Sequence, residues 1–578
     1  MKRTQLAAAI VMATSSMSAL AATYTVTPLP VTDIGKSNFA KSIDNTGAML
    51  TTVKNEFSPP IDLELAEDSG LLAAYENTFE SPEDAEAGNF TSIDYQIIVS
   101  QLLTYSATNS DDFQHLTNFR SYVTDTVDAS LVPGLDVIDE DSGRYTHSVE
   151  TIARDSISRD YIVGSSAYPF LRLDYTNEDD EDVYYLLSEG LEQAFVEVNG
   201  NHIRLPSPDD TLNGYAAAYS INNNLQVAGY ATTSFTDAAI ETIENCADDE
   251  ERGDIPYEKC IQDIVYTDSN TSTSAVRFPL REVSQIRPVV WQLDGAGNVI
   301  DITSYPLVFD PTEDQLLSLK IGRAYDINDQ GVAVGISQTD EGSAVAVSLI
   351  DGQTTEFLPR GENNNSSAIA INDENWVTGY VNRSPNGVSR NRLFVHNLDT
   401  GESVYPDGFY TNAPTEANAI NNNNIVVGKS EVDTSSSSSL SDTHAFMYTV
   451  GDEELTDLNT LISCDSEYEL VEAVDINDSD EIIANALIQR PQRYVDGEAV
   501  INSAGEQEEE DLIVAVKLTP NGDGEIEQCD IDDEGSDEEA GYERSGASTQ
   551  WSILALLAGA VVWRRKMVSK TATFLAKK

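Results

Sequence analysis

A short motif returns along most of this chain, and it limits the possible folds more than any other feature. Its clearest copy is Ala324-Tyr325-Asp326-Ile327-Asn328-Asp329-Gln330-Gly331-Val332-Ala333-Val334-Gly335. Residues 218–229, 368–379 and 417–428 share the frame, and 473–484 differs only in ending on Ala484. Residues 40–51 form a degenerate first copy, and 154–164 is one residue short in its turn. Seven copies predict a repeat architecture rather than a string of unrelated domains.

The residues of the unit say what it builds. Ala and Ile three apart, with Val beyond the turn, are the buried points. Asn-Asp-x-Gly between them tolerates positive φ and satisfies its own backbone, so two short strands joined by a tight turn are expected. The closing glycines 229, 335, 379 and 428 permit close backbone approach, as where strands converge on an axis.

A second hairpin alternates with the first. Residues 194–198 lead through Asn199-Gly200 into 202–206, and 289–293 lead through Gly295 and Gly297 into 299–302. The same reading holds for 345–359, 393–406 and 444–458. Two hairpins per repeat make four antiparallel strands, which is one propeller blade. The motif isoleucines stand at 43, 157, 221, 327, 371, 420 and 476. The last four are 44, 49 and 56 residues apart, near the blade period of about 40–50. The expectation is an all-β chain: a β-propeller of about seven four-stranded blades, with a partly helical insertion after the first repeat.

Thirty-three Lys+Arg against 98 Asp+Glu give a net charge of −65. Such a surface repels nucleic acid and anionic lipid, and it suits a salt-rich solvent that screens self-repulsion.

The ends carry targeting chemistry. Residues 1–22 have Lys2-Arg3, an apolar run, and an A-x-A site before Ala22, the layout of a secretory signal peptide cut at Ala21 or Ala22. The propeller is expected over 23–530, closed by pairing 24–29 with 512–518. Insertions are expected at about 57–146, with helical spacing at Ile93, Ile97 and Leu102, and at about 232–286. Residues 531–547 read as an acidic, solvated spacer. In 548–578 an apolar stretch between Trp551 and Trp563 precedes Arg564, Arg565 and Lys566. That stretch is short against the roughly 20 residues of a permanent span, and the basic cluster places the C-terminus on the cytoplasmic side. A short apolar tail behind small residues is also the layout of a sorting signal that is removed.

The hairpin pair His444-Ala445-Phe446-Met447-Tyr448 and Leu455-Thr456-Asp457-Leu458, followed by 473–484, resembles the HAF-type extracellular repeat. The tail from Ser545 to Lys566 resembles the GlyGly-CTERM sorting domain of gammaproteobacteria, with Ser545-Gly546-Ala547-Ser548 in place of the glycine pair. The combination resembles an uncharacterised family of exported gammaproteobacterial proteins known only as a domain of unknown function. The resemblance implies export from a Gram-negative cell and processing by signal peptidase and a rhombosortase-like protease. It also implies transient contact with the inner membrane, then release to the surface or medium. It lends no catalytic residue.

Four cysteines in an exported chain suggest two disulfides. Three pairings are possible. Sequence proximity favours Cys246 with Cys260, which leaves Cys464 with Cys529 to fasten the last blade, worth about 4 kcal/mol in the simple loop-entropy model. The histidines 115, 147, 202, 396 and 444 show no metal-ligand spacing. There is no G-x-S-x-G, P-loop or H-E-x-x-H. Asp326, Asn328 and Asp329, and Asp475, Asn477, Asp478 and Asp480, offer oxygens to Ca²⁺, the one cofactor considered, but lack the full calcium-loop spacing. The reading that follows is an exported binding module for an unknown extracellular or envelope ligand. The alternatives are a propeller hydrolase with an acidic site in the central channel, and a structural envelope protein.

Overall fold

The structure, a computed structural model, describes residues 23–139, 143–266, 284–317, 320–360, 365–384, 389–432 and 443–522, with 524 and 526. They belong to one compact unit, Met1–Gln528. Ala21, Ala22, Cys529, the acidic spacer, Ser545 to Ser548, Trp551, Trp563 and the basic tail lie outside the described residues.

Alternating apolar residues and Asx turns fold as antiparallel meanders, and the meanders make a β-propeller. The first has strands Gly35–Ile43, Met49–Glu56, Phe119–Thr124 and Ala129–Val132. The second has Thr151–Ser158, Tyr161–Ser166, Gln193–Val198 and Asn201–Leu205. Two more run Ser366–Ile371, Trp376–Arg383, Arg390–Asn397, Ser403–Val404 and Thr415–Ile420, Ile425–Glu431, Thr443–Thr449, Thr456–Asp457. In the last, Glu469–Ile476, Ile482–Pro491 and Glu509–Asn521 are joined by Thr23–Pro28 from the other end of the described chain. Tyr24 faces Pro520 and Val26 faces Leu518, so the ring closes by strand pairing between its ends.

The expectation of about seven four-stranded blades is corrected by this strand order. Five sheets have four strands, and the stretch from Ala216–Ile221 to Gln353–Glu356 forms one eight-stranded sheet. The cause is Ser284–Leu293, whose first residues overhang: Gln285 and Ile286 pair in parallel with Lys320 and Ile321. That junction lies outside the repeat motif, so the motif could not announce it.

Hydrophobic packing lies in slabs between neighbouring sheets. Ala370, Leu393 and Val395 meet Ala417, Ile420 and Phe446 in one slab. Ala419 and Val427 meet Leu470, Ala473 and Ile482 in the next. Trp291 is fully buried and donates its indole N–H to Pro206 O at 2.8 Å. Each fully buried large apolar side chain contributes about 1.5–3 kcal/mol.

The motif turns do more than reverse the chain. Each motif Asn accepts its own turn's amides on Oδ1, as Asn421 does from Asn423 and Ile425 at 3.1 and 3.0 Å. Its Nδ2 donates to the carbonyl of the next motif Asn: Asn222 to Asn328 at 2.8 Å, Asn328 to Asn372, Asn372 to Asn421 and Asn421 to Asn477 at 3.0 Å, and Asn477 to Asp44 at 3.1 Å. A second belt uses the following residue. The amides of Asn223, Asp329, Asp373, Asn422 and Asp478 donate to side-chain oxygens of Asp329, Asp373, Asn422, Asp478 and Asn45. The first belt stops at the short copy. There Ser156 pairs with Ile162 where the other strands place Ile, so Ile157 falls where they place Asn or Asp.

Chain direction puts every insertion between second and third strands at the opposite end from these turns. Residues 57–118 carry the helices Leu63–Asp68, Leu71–Tyr75, Pro82–Glu86 and Ser92–Ala107. The hairpin Phe170–Thr176 with Asp182–Ser188 follows in the second sheet, and helices Asp237–Ala247, Asp249–Arg252 and Tyr257–Tyr266 in the next. They touch one another: Leu186 N donates to Asp111 O, Lys259 pairs with Asp111 at 2.9 Å, and Gln262 accepts from Ser188 N. Cys246 and Cys260 are disulfide-bonded within this cap. Cys464 is also disulfide-bonded, and its partner is outside the described residues. Among the described residues no helix is long and apolar enough to cross a membrane.

Candidate functional site

Each innermost strand contains a β-bulge at the same place in the motif. The register slips between Ala40 and Ser42, Ala153 and Asp155, Ala218 and Ser220, and Ala324 and Asp326. It slips likewise between Ala368 and Ala370, Ala417 and Ala419, and Ala473 and Asp475. A bulge leaves one residue out of the ladder and re-aims its side chain. The seven residues so released are Lys41, Arg154, Tyr219, Tyr325, Ile369, Asn418 and Val474, and each is half-buried next to a buried alanine. These positions recur on the seven innermost strands and together form a collar of side chains.

Neighbouring collar residues touch. The Arg154 guanidinium lies 4.3 Å from the Tyr219 ring, and Tyr219 meets Tyr325 edge-on at 5.0 Å. Arg323, one turn of the pleat away from Tyr325, stacks over Tyr230 at 4.8 Å, and Tyr230 donates to the Tyr215 hydroxyl at 3.0 Å. The Nε atoms of Arg154 and Arg323 are buried and have no hydrogen-bond partner among the described residues. Lys41 makes no ion pair among them, and burial followed by the Arg154 charge pushes its pKa below the usual lysine value. The opposite arc is already neutralised. Lys429 bonds Glu472 at 3.0 Å, and Asn418 and Asn485 donate to the same carboxylate. In a chain of net charge −65, the collar therefore has one cationic, aromatic arc (Lys41, Arg154, Tyr219, Tyr325) and one arc of Ile369, Asn418 and Val474 in which Asn418 is the polar member.

Three carboxylates lie just beyond it. Asp155 Oδ2, Asp326 Oδ2 and Asp475 Oδ2 accept the amides of Ile221, Ile371 and Ile43, each at 2.8 Å. Enclosure by the surrounding strands pushes Asp155 up to about 6, Asp475 up to about 7, and Asp326 upward. The carboxylates are thus bound as latches between inner strands.

The calcium candidates take these places in the fold. Asn328 and Asn477 belong to the first belt, Asp329 and Asp478 to the second, and Asp326 and Asp475 to the latches. Asp480 accepts from Asn421 and Asn423 side chains at 2.8 Å. Among the described residues no three His, Cys, Asp or Glu side chains gather in a way that could hold a metal ion.

The histidines serve packing. His444 is held between Asp457 at 2.7 Å and Glu469 at 3.6 Å. Burial alone would lower its pKa, but these two acids raise it to about 9. His147 sits at φ 61° beside Arg120 and Glu56, and burial with the Arg120 charge lowers it to about 3. His396 Nδ1 contacts Ser403 Oγ at 2.7 Å on third and fourth strands, away from the collar, and its ring stacks on Phe357. Two cavities open under the insertions, one of about 440 Å³ walled by Gln114, His115, Phe170 and Arg172, the other of about 230 Å³ between Phe57, Val99, His147 and Tyr494.

Sequence reasoning named none of the collar residues. The usable signal was the position directly after Ala: it holds Lys, Arg, Tyr, Tyr, Ile, Asn and Val in the seven copies, a mixture unlike the uniformly apolar positions of the buried strand face. The motif glycines also take on a different role. A Cβ on Gly229, Gly335, Gly379 or Gly428 would stand 2.0–2.1 Å from the carbonyl of Ala217, Arg323, Ser367 or Glu416. They admit that carbonyl at the bulge.

A bulge at the same point of every innermost strand in a β-propeller defines the class: a repeat propeller. Within it, the chain belongs to the family described as "Protein of unknown function (DUF3466)", whose model matches residues 1–566. No curated protein matches it in sequence. Among solved structures it is similar to the β-propeller domain of the trilobed protease of Pyrococcus furiosus, at 8% identity and TM-score 0.31, over 72% of this chain and 91% of that one. TolB of Acinetobacter baumannii matches at 8% identity and TM-score 0.28, over 71% and 77%. A Dyadobacter fermentans protein of unknown function matches at 10% and 0.29, over 75% and 96%.

Proposed function

We propose that the chain is an exported binding module that takes its ligand at the collar. The observation that carries this reading is the bulge in every innermost strand, which spends backbone pairing to re-aim a half-buried side chain. Export is supported by the Cys246–Cys260 disulfide, which persists in oxidising compartments, and by the signal-like residues 1–22 and sorting-like tail. A glycan and peptide array on the purified protein, repeated with Asn418→Ala, tests the reading; a hit that the variant binds equally well goes against it.

A second reading has one observation behind it. Asp155 and Asp475 have raised pKa values near the collar, as a general acid requires. Their oxygens are taken by backbone amides, so the binding reading is favoured. Turnover of a glycan or phosphate ester that disappears in a folded Asp475→Asn protein would reverse that preference.

A further inference from the structure

Among the described residues, Lys41 and Arg154 of the cationic arc, and Arg323 beside it, form no ion pair, and the one carboxylate whose charge acts on Lys41, Glu472, is already bonded to Lys429. Lys41, Arg154 and Arg323 come from three different inner strands. Arg154 and Lys41 are close enough for the charge of one to act on the other. The nearest acid by sequence, Asp155, turns its oxygens to Ser42, Ser156 and Ile221 instead. Each guanidinium lies over a tyrosine ring, each buries an Nε–H with no partner among the described residues, and Arg154 Nη2 donates to Ser165 Oγ at 3.2 Å. The remaining Nη donors of a planar guanidinium match a carboxylate or other oxyanion by charge-assisted hydrogen bonds. Unpaired like charges in a part-buried site are unfavourable until an anion joins them.

The facing arc does not ask for a second charge. Glu472 is matched by Lys429, Asn418 and Asn485, and Asn391 donates to Glu416 at 2.7 Å. What it presents is a fixed array of amide and carboxylate groups suited to hydroxyls. The global charge of −65 further disfavours a polyanion, whose remaining charges would be repelled at the mouth.

We infer that the collar takes a small hydroxyl-rich acid, in chemical class a uronic-acid saccharide, with its carboxylate on Arg154 and Lys41 and its hydroxyls on the Asn418 arc. This rests on the binding reading above and adds the ligand class. The test is calorimetry of the full chain with disaccharides ending in glucuronate, galacturonate or mannuronate, their neutral counterparts, and acetate and inorganic sulfate. At least one acidic disaccharide should bind about tenfold or more tighter than its neutral form, the worth of one charge-assisted pair. Arg154→Gln should erase that preference while leaving the melting temperature unchanged. Acetate or sulfate binding as tightly as the sugar acid would mean an adventitious ion only and would overturn the saccharide assignment. Equal binding of neutral and acidic sugars, weakened by Asn418→Ala but not by Arg154→Gln, would overturn the anion and leave the collar as the site. No binding of any probe at millimolar concentration overturns the inference. The collar reading falls as well only if ligands found on the array bind Arg154→Gln and Asn418→Ala proteins as tightly as the parent.

Discussion

At the turn end of the innermost strands, Asn421 uses both side-chain atoms: Nδ2 on Asn477 O and Asp480, Oδ1 on two amides of its own turn. Three residues earlier on the same strand, the bulged Asn418 has left the ladder and is half-buried. Arg154, at the corresponding level of another strand, and Arg323, two residues before the bulge of a third, have a buried Nε with no partner among the described residues. One end of each strand is bonded to its neighbours, and at the other a side chain has left the ladder. On the proposed binding reading, stability and recognition sit on the same strand but on different residues, and substitutions should separate them.

The largest expected effect comes from the residue that allows both ends to coexist. Gly379→Ala would place a Cβ 2.0 Å from Ser367 O, against backbone that cannot yield as a side chain can. We expect a loss of about 3 kcal/mol or more in urea unfolding, while the bulged Ile369→Ala costs far less. Equal costs would show that the bulge is not what the glycine serves. Thr51 and Ala484 occupy the same point in two other sheets, so the requirement belongs to the close carbonyl and not to every bulge.

Asn421→Ala comes next. It removes one of the two donors to the Asn477 carbonyl, which keeps the Asp480 amide, and orphans two turn amides; unsatisfied buried groups cost about 1–3 kcal/mol each, partly relieved by water at an exposed turn. A loss of about 2–3 kcal/mol is expected, with collar binding unchanged in the protein that remains folded. A binding loss without a stability loss would invert the assignment of the two ends.

The pH dependence should have one sign at both places. Asp155 and Asp475 have folded pKa values of about 6 and about 7 against the ordinary aspartate value of 3.8. The folded state therefore holds protons that the unfolded state has released between about pH 4 and 7, and stability from these latches falls as pH rises through that window. His444, raised from 6.5 to about 9, contributes stability that is full below about 6.5 and lost as pH climbs through 9. The melting temperature should decline from pH 5 to pH 9. Asp475→Asn should flatten the lower half and His444→Gln the upper half.

The smallest effect on stability is expected at the bulged end. Arg154→Gln should change the unfolding free energy by under about 1 kcal/mol, because a stacked, partly exposed cation stabilises the fold little. A large loss would show that Arg154 is a strut and not a ligand group.

Much of the fold was legible because its determinants are local. Ile-Asn-Asp-x-Gly states its turn in adjacent residues, and the paired hairpins follow from alternation over a few positions. The collar was not legible, because a bulge is a relation between two strands: Asn418 looks like any polar strand residue until Ala417 and Ala419 are seen to face Gly428 and Val427. The partners of the acidic turns were hidden by the same gap, since Asp478 and Asp480 share a turn in sequence but bond to Asn422 and Asn421 from another sheet.

By itself, then, the sequence determined the repeating unit, its turns, its apolar faces and an acidic surface, all set by propensity and periodicity within one hairpin. Tertiary structure alone decided how many sheets separate and which side chains leave the ladder. It also decided that the recurring Asn and Asp residues bond from sheet to sheet. Those outcomes depend on groups brought together from hundreds of residues apart, as when Asn477 reaches Asp44 across 433 positions, and no local pattern encodes such a distance.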